Sequence, residues 1–316
     1  MNNSFPQKKF YVLTFPKTFK EDEVKAFHNY GSLKLSDYFK GYSEGRWDAE
    51  NKGWTSSRIP SMIDLEVKKN NVIINCAESE YKYLAGMFKL ALSSGKNPTN
   101  DIVHGLSIEM MPIFEDATII IEQRGIETEH APGFCDFPTA SQNALMYIKK
   151  APEELGLDSI YDMKRFPKAH ILRAFSGLSI KDISEINYVG VSRGLEVSLD
   201  SQVNGFANIK RDGEEIYRLK SENRFIYPYS DLIHLIESIG NDGITHSIKE
   251  DLHGNIPKPT KQTSGFGFVD SSLGTILSIL EMGNPNLYQE AKNILESKGY
   301  EIIELKRNII FLDSLV

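Results

Sequence analysis

Residues 106–124 read LSIEMMPIFEDATIIIEQR. Two runs rich in apolar and β-branched residues, Leu106–Met111 and Ala117–Glu122, flank Glu115-Asp116, whose side chains suit a turn. The stretch predicts two neighbouring strands and so places a β-sheet in the middle of the chain.

Working back from it, the polar segment 93–100 (SSGKNPTN) is the best boundary. Before it, strand-like and helix-like pieces alternate, beginning with Phe10–Phe15 and the acidic-to-apolar run Glu21–Tyr30. Ile63–Val67 and Val72–Cys76 straddle Lys69-Asn70-Asn71 and predict a hairpin. Tyr81, Leu84, Phe88 and Leu92 repeat at helical spacing. Tyr42–Pro60, with both tryptophans, has no period and reads as a loop; Trp47 and Trp54 suit either packing of the N-terminal unit or stacking on a base or sugar.

Working forward, the pattern predicts a helix over Gln142–Leu155 and another over Ile171–Leu178, then strands Ile186–Val191 and Val203–Ile209. A short helix Ser230–Ile239, the polar stretch Asn241–Gly267, helices Leu273–Met282 and Leu287–Ser297 and a strand Tyr300–Leu305 complete the chain. The expectation is an α/β (α+β) protein in three parts: an N-terminal α/β extension over 1–100, a central domain with a mixed sheet over 101–240, and loop and helices over 241–316. Ile276, Leu277, Leu280, Ile294, Leu295, Ile302 and Ile303 give the last part apolar faces that should pack on the core.

Composition sets bounds. The 316 residues suffice for a full core; 41% are hydrophobic and 25% charged, and the net charge of −7 offers no general attraction to nucleic acid. No stretch reaches the roughly 18 apolar residues of a membrane span, and the N-terminus lacks a signal-peptide core, so a cytoplasmic location is expected. Two cysteines, Cys76 and Cys135, exclude a disulfide framework and read as buried thiols. The histidines do not cluster; His246 and His253 flank Asp251 in a polar stretch without metal-ligand spacing. Ser264-Gly265-Phe266-Gly267-Phe268 lacks the third glycine of a dinucleotide-binding turn.

The segments Ile119–Gly125 and Glu129–Pro138 (EHAPGFCDFP) together resemble the Nudix superfamily, nearest to the UDP-glucose pyrophosphatase branch with an N-terminal extension. Pro152-Glu153-Glu154-Leu155-Gly156-Leu157 is similar to the end of the Nudix helix, and Ile186–Gly194 with Val203–Ala207 to a later strand pair. The resemblance covers roughly residues 105–235. It implies a Nudix-like α/β/α sandwich with a C-terminal helical addition, Glu153 and Glu154 as catalytic and metal-binding groups for magnesium, and a nucleotide derivative as the small-molecule partner. Arg124 and Arg193 would meet phosphate, with Asp136 and Lys150 beside the ligand. The same residues also read plainly: an acidic helix end for Glu153-Glu154, surface ion pairs for the arginines and a turn for Asp136. Neither nucleic acid nor membrane is expected as a partner, and the sequence is compatible with a homodimer.

The departures bear on catalysis. Where the family has two glycines, this chain has Thr139 and Ala140. Lys149 and Lys150 replace the arginine and glutamate that open the helical motif, and Pro152 precedes the paired glutamates at a mid-helix cost of about 3 kcal/mol. A lysine in place of a metal-binding carboxylate weakens a magnesium site, since hard cations need clustered carboxylate oxygens. The sequence therefore points to a binder of a nucleotide-diphosphate-type ligand with weak or no hydrolase activity. The alternative is an active magnesium-dependent hydrolase of a nucleoside-diphosphate sugar.

Overall fold

A computed structural model of the chain describes residues 8–50, 56, 58–94, 103, 105–124, 133–137, 139–140, 163–194, 201–220, 222–241, 250–257, 267–305 and 309–310. The expected helix Gln142–Leu155 lies outside the described residues, as do Lys150, Glu153, Glu154, Trp54 and His246.

The chain is α/β with two sheets. Strands β1 (Lys9–Lys20), β5 (Leu106–Phe114), β6 (Thr118–Gln123), β9 (Ile183–Gly194), β10 (Ser201–Ile209), β11 (Arg224–Pro228) and β12 (Glu301–Glu304) form the larger one, in the order β11-β6-β5-β10-β9-β1-β12. It is mixed: β10 runs parallel to β5 and β1 parallel to β12, and the other neighbours along this order are antiparallel. Two short strands, β7 (Cys135–Asp136) and β8 (Thr139–Ala140), join it through β6 and β5. The smaller sheet holds β2 (Val24–Ser32), β3 (Arg58–Val67), β4 (Val72–Glu80) and β13 (Ile309–Ile310), in the order β13-β3-β4-β2.

Alternation along the strands builds the layers. On β1, Phe10 and Val12 belong to one core cluster, while Leu13 and Phe15 belong to another on the opposite face. The second cluster lies between the sheets, where Met62, Leu65, Ile74 and Cys76 of the smaller sheet meet Ile108, Met110, Tyr188 and Val203 of the larger. Helices α3 (Phe166–Ala174) and α4 (Gly213–Leu219) supply Phe166, Ile171, Ile216 and Tyr217 to it. On the far face of the larger sheet lie α5 (Leu232–Glu237), α6 (Asp270–Gly283) and α7 (Pro285–Ser297). The far face of the smaller sheet is covered by α1 (Asp37–Glu50) and α2 (Tyr81–Ser94) through Phe39, Leu84 and Met87.

The C-terminal segment packs on the core as its apolar pattern requires: Ile276, Leu277, Leu280, Leu295 and Ile302 are buried together. Close contact there depends on missing side chains. A Cβ at Gly274 of α6 would stand 2.4 Å from the Ser192 Cβ, and one at Gly190 of β9 would stand 2.5 Å from the Leu13 carbonyl oxygen.

Three readings are corrected. Asp37–Glu50 is helix although Tyr42–Pro60 reads as a loop; Gly41 and Gly45 weaken the local signal. Packing decides instead, through buried Phe39 and the edge of Trp47 against Tyr81. The helix-like run Glu21–Tyr30 is largely strand β2, which pairs with β4. The helix expected over Ile171–Leu178 begins earlier, at Phe166 with Pro167 in its first turn, and stops before Phe175 and the left-handed Gly177. The sheets also cross the expected boundary at residue 100: β1 lies inside the larger sheet and β13 joins the smaller.

Candidate functional site

The stretch that opened the sequence reading forms a fork. After Phe114 the chain turns with Ala117 at φ 57°, and Asp116 accepts hydrogen bonds from the Thr118 backbone (3.3 Å) and hydroxyl (2.7 Å). Next to this turn β5 and β6 pair at Ile113↔Ile119 and then separate. The gap is occupied by residues 133–137 and 139–140: β7 pairs with β6 (Glu122↔Asp136) and β8 with β5 (Glu109↔Thr139). β5 and β6 are antiparallel and each new strand is antiparallel to its own neighbour, so the chain direction reverses between β7 and β8. Residues 267–269 bond the other edge of β7, with Cys135 N–H to Gly267 O at 2.7 Å and Val269 N–H to Cys135 O at 3.0 Å. Residues 267–269, which lead into α6, and strand β7 thus share backbone hydrogen bonds beside the fork.

Gly133, at φ 78°, starts the insertion in a conformation costly for a side chain. The Gln123 amide donates to its carbonyl at 2.9 Å, and Arg124 N–H donates to Phe134 O at 2.8 Å. These bonds continue the β6–β7 ladder past Gln123, so Glu122, Arg124 and Asp136 share one face.

Two ion pairs sit side by side there. Arg124 Nε donates to Asp136 Oδ2 at 2.6 Å, with the side chains 18% and 8% exposed. Glu122 Oε2 lies 3.7 Å from Arg224 Nη2, with Glu122 38% and Arg224 2% exposed. Arg224 is held from several sides: its Nη2 donates to the Ala174 carbonyl, its Nη1 reaches Lys220 O at 3.5 Å, and its guanidinium lies 5.0 Å from the Phe175 ring centre. Burial pushes the Glu122 carboxyl above the usual carboxylate range; Arg224 opposes that push and the charge on Asp136 adds to it.

The opposite face of β5 carries a buried polar seam under α6. Glu109 is fully buried, and its carboxylate accepts a hydrogen bond from the Ser272 hydroxyl in the first turn of α6. Across the ladder stands Asn204, which accepts from the Ser192 hydroxyl at 3.1 Å. The first turn of α6 has no side-chain cap at Val269, so a carboxylate from the sheet supplies negative charge where the helix dipole favours it.

The residues singled out in the sequence are therefore only partly brought together. Arg124 and Asp136 are in direct contact. Arg193 stands on β9, opposite Tyr11 and Ser201. With β5 and β10 and the inserted strands between them, at roughly 4.8 Å per strand, it lies on the order of 20 Å from Arg124. Over that span a single phosphate group would touch one of them and not the other. The sequence reading missed Glu122, hidden at the end of an apolar run, and Arg224, on a strand it did not identify. The His253 ring stacks on Tyr217 at 4.9 Å and contacts Glu214 at 2.7 Å. No group of three metal-ligating side chains occurs among the described residues. No described helix is long and apolar enough to cross a membrane.

No family model matches the chain, and no curated protein matches it in sequence.

Proposed function

We propose that the chain binds a nucleotide-diphosphate-type ligand at the mouth of the β5–β6 fork, on a Nudix-like scaffold, and hydrolyses it weakly or not at all. The observation that carries this reading is the Arg124–Asp136 pair. The sequence resemblance assigns both residues to the ligand, and they are in direct contact beside the β6–β7 pairing. A guanidinium fixed through Nε by a carboxylate has its rotamers already restricted, so less freedom is lost when phosphate binds.

The weak catalysis follows from the sequence. Thr139 and Ala140 replace glycines, and Lys150 brings a positive charge where the resemblance implies a third magnesium-binding carboxylate beside Glu153 and Glu154. Magnesium, if bound, would offset charge on the diphosphate. The partner is a small molecule of the cytoplasm, and the proposal requires neither nucleic acid nor a membrane.

Calorimetric titration with UDP-glucose and ADP-ribose, with and without magnesium, tests the reading alongside chromatography of the products. Binding in both conditions without turnover supports it. Absence of binding at millimolar ligand refutes it, and rapid magnesium-dependent turnover abolished by Glu154→Gln replaces it with the hydrolase alternative.

A further inference from the structure

Helices α1 and α2 cover part of the outer face of the smaller sheet, over Ile59, Ile63 and Ala77. The rest of that face is a patch two rows deep. Strand pairing aligns Lys25 of β2, Ile73 of β4 and Glu66 of β3 in one row, and Phe27, Asn75 and Asp64 in the next. Opposed residues share a face, and here it is the outer one, because Ile74 and Cys76, next to them along β4, enter the core between the sheets. Tyr30 of β2 spans β4 to donate its hydroxyl hydrogen to Asp64, which also accepts from the Asn75 amide at 2.5 Å. These bonds fix the second row, yet Phe27 and Tyr30 each stay 43% exposed. Folding thus leaves two neighbouring aromatic side chains half in water, beside exposed Lys25 and Glu66.

We propose that this patch is the contact surface of a symmetric dimer, with a second copy of the chain as its occupant. The charge pattern selects that partner. Lys25 and Glu66 stand on opposite sides of Ile73 in one row, each about 4.8 Å from it. A twofold axis that runs parallel to β4 between two facing sheets exchanges the β2 side for the β3 side. It sets Lys25 of each copy over Glu66 of the other, with Ile73 against Ile73 at the centre. The same operation carries Phe27 toward Tyr30 and Asp64 of the facing copy, where aromatic rings meet. Within one chain Glu66 pairs with Lys68 at 2.9 Å, but their side chains are 49% and 53% exposed, and such a pair gives way at little cost. A patch three strands wide is small for an interface, so the dimer is a weak one that forms as protein concentration rises.

Sedimentation velocity of the full chain over a concentration series tests this. The wild-type protein should pass from monomer to dimer below about 1 mM. Lys25→Glu and Glu66→Lys each set like charges opposite one another at both symmetry-related positions, so each should weaken the dimer at least about tenfold. An equimolar mixture of the two variants should associate as the wild type does, because a chain with carboxylates at both positions then faces one with ammonium groups at both. That recovery also shows that neither variant has lost its fold. A wild-type protein that stays monomeric up to about 1 mM overturns the proposal and leaves the face to a partner of different sequence. A dimer that neither charge variant weakens, or a mixture that associates no better than its components, overturns it too, since the contact then lies elsewhere.

Discussion

Replacing Arg224 by methionine tests the electrostatic construction of the fork. The substitution keeps much of the apolar stem but removes the guanidinium that donates to Ala174 O, packs on the Phe175 ring and faces Glu122. A charge-assisted hydrogen bond contributes about 1.5–3 kcal/mol and a desolvated cation–π contact about 0.5–2 kcal/mol. The 3.5 Å approach to Lys220 O adds little. Apolar burial of the methionine offsets part of the loss, leaving roughly 2–4 kcal/mol, which at about 2.1 cal/mol/K of unfolding entropy per residue over 316 residues is a melting-temperature decrease of about 3–6 °C. The loss should depend on pH. Without Arg224 the Glu122 carboxyl moves further above its ordinary range, and a carboxyl with a raised folded-state pKa lowers stability as pH rises through that interval. The gap between variant and wild type should therefore be largest near pH 7 and narrow toward about pH 5, as read by differential scanning calorimetry. A variant melting within 2 °C of wild type, or a gap that widens on acidification, would refute the reasoning.

Gly190→Ala forces a Cβ to within 2.5 Å of the Leu13 carbonyl oxygen and 2.7 Å of the Ser278 hydroxyl, so about 1–3 kcal/mol should be lost in urea unfolding; an unchanged midpoint would contradict the close packing of α6. Asp251 accepts from the backbone N–H groups of Ile226 (3.3 Å), His253 (2.8 Å) and Asn255 (2.8 Å), closing residues 250–257 over β11. Asp251→Asn puts an amide donor against one of those donors and should cost about 1–3 kcal/mol, with faster amide exchange at Ile226; unchanged exchange would exclude this role. Burial holds the His170 ring down to about 3, so the unfolded chain binds the extra proton between there and about pH 6.5 and stability is lost as pH falls through that window. His170→Gln should flatten this part of the pH–stability curve, and an identical slope in the variant would show that other groups set it.

The central strands were legible because LSIEMMPIFEDATIIIEQR combines β-branched runs with turn chemistry, two signals that agree. The last two helices were legible for a similar reason: the apolar side chains that define their faces are buried in the structure. Helix α1 was not, because its glycines obscure local propensity and its stability comes from contacts with residues far along the chain. The site was half legible. Arg124 and Asp136 are separated by 12 positions, and motif order was enough to connect them. The Glu122–Arg224 pair joins residues about a hundred positions apart, and only strand pairing between β6 and β11 shows that they meet. Arg193 shows the converse: its place in a familiar order suggested proximity, and the sheet register places it several strands away.

The most direct test of ligand binding without efficient hydrolysis is simultaneous calorimetry and product analysis of the wild-type protein with UDP-glucose, in chelator and then in excess magnesium. The account predicts saturable binding in chelator, little change in affinity with magnesium, and intact ligand recovered after prolonged incubation. Binding that appears only with magnesium, accompanied by release of UMP and glucose 1-phosphate, would contradict it.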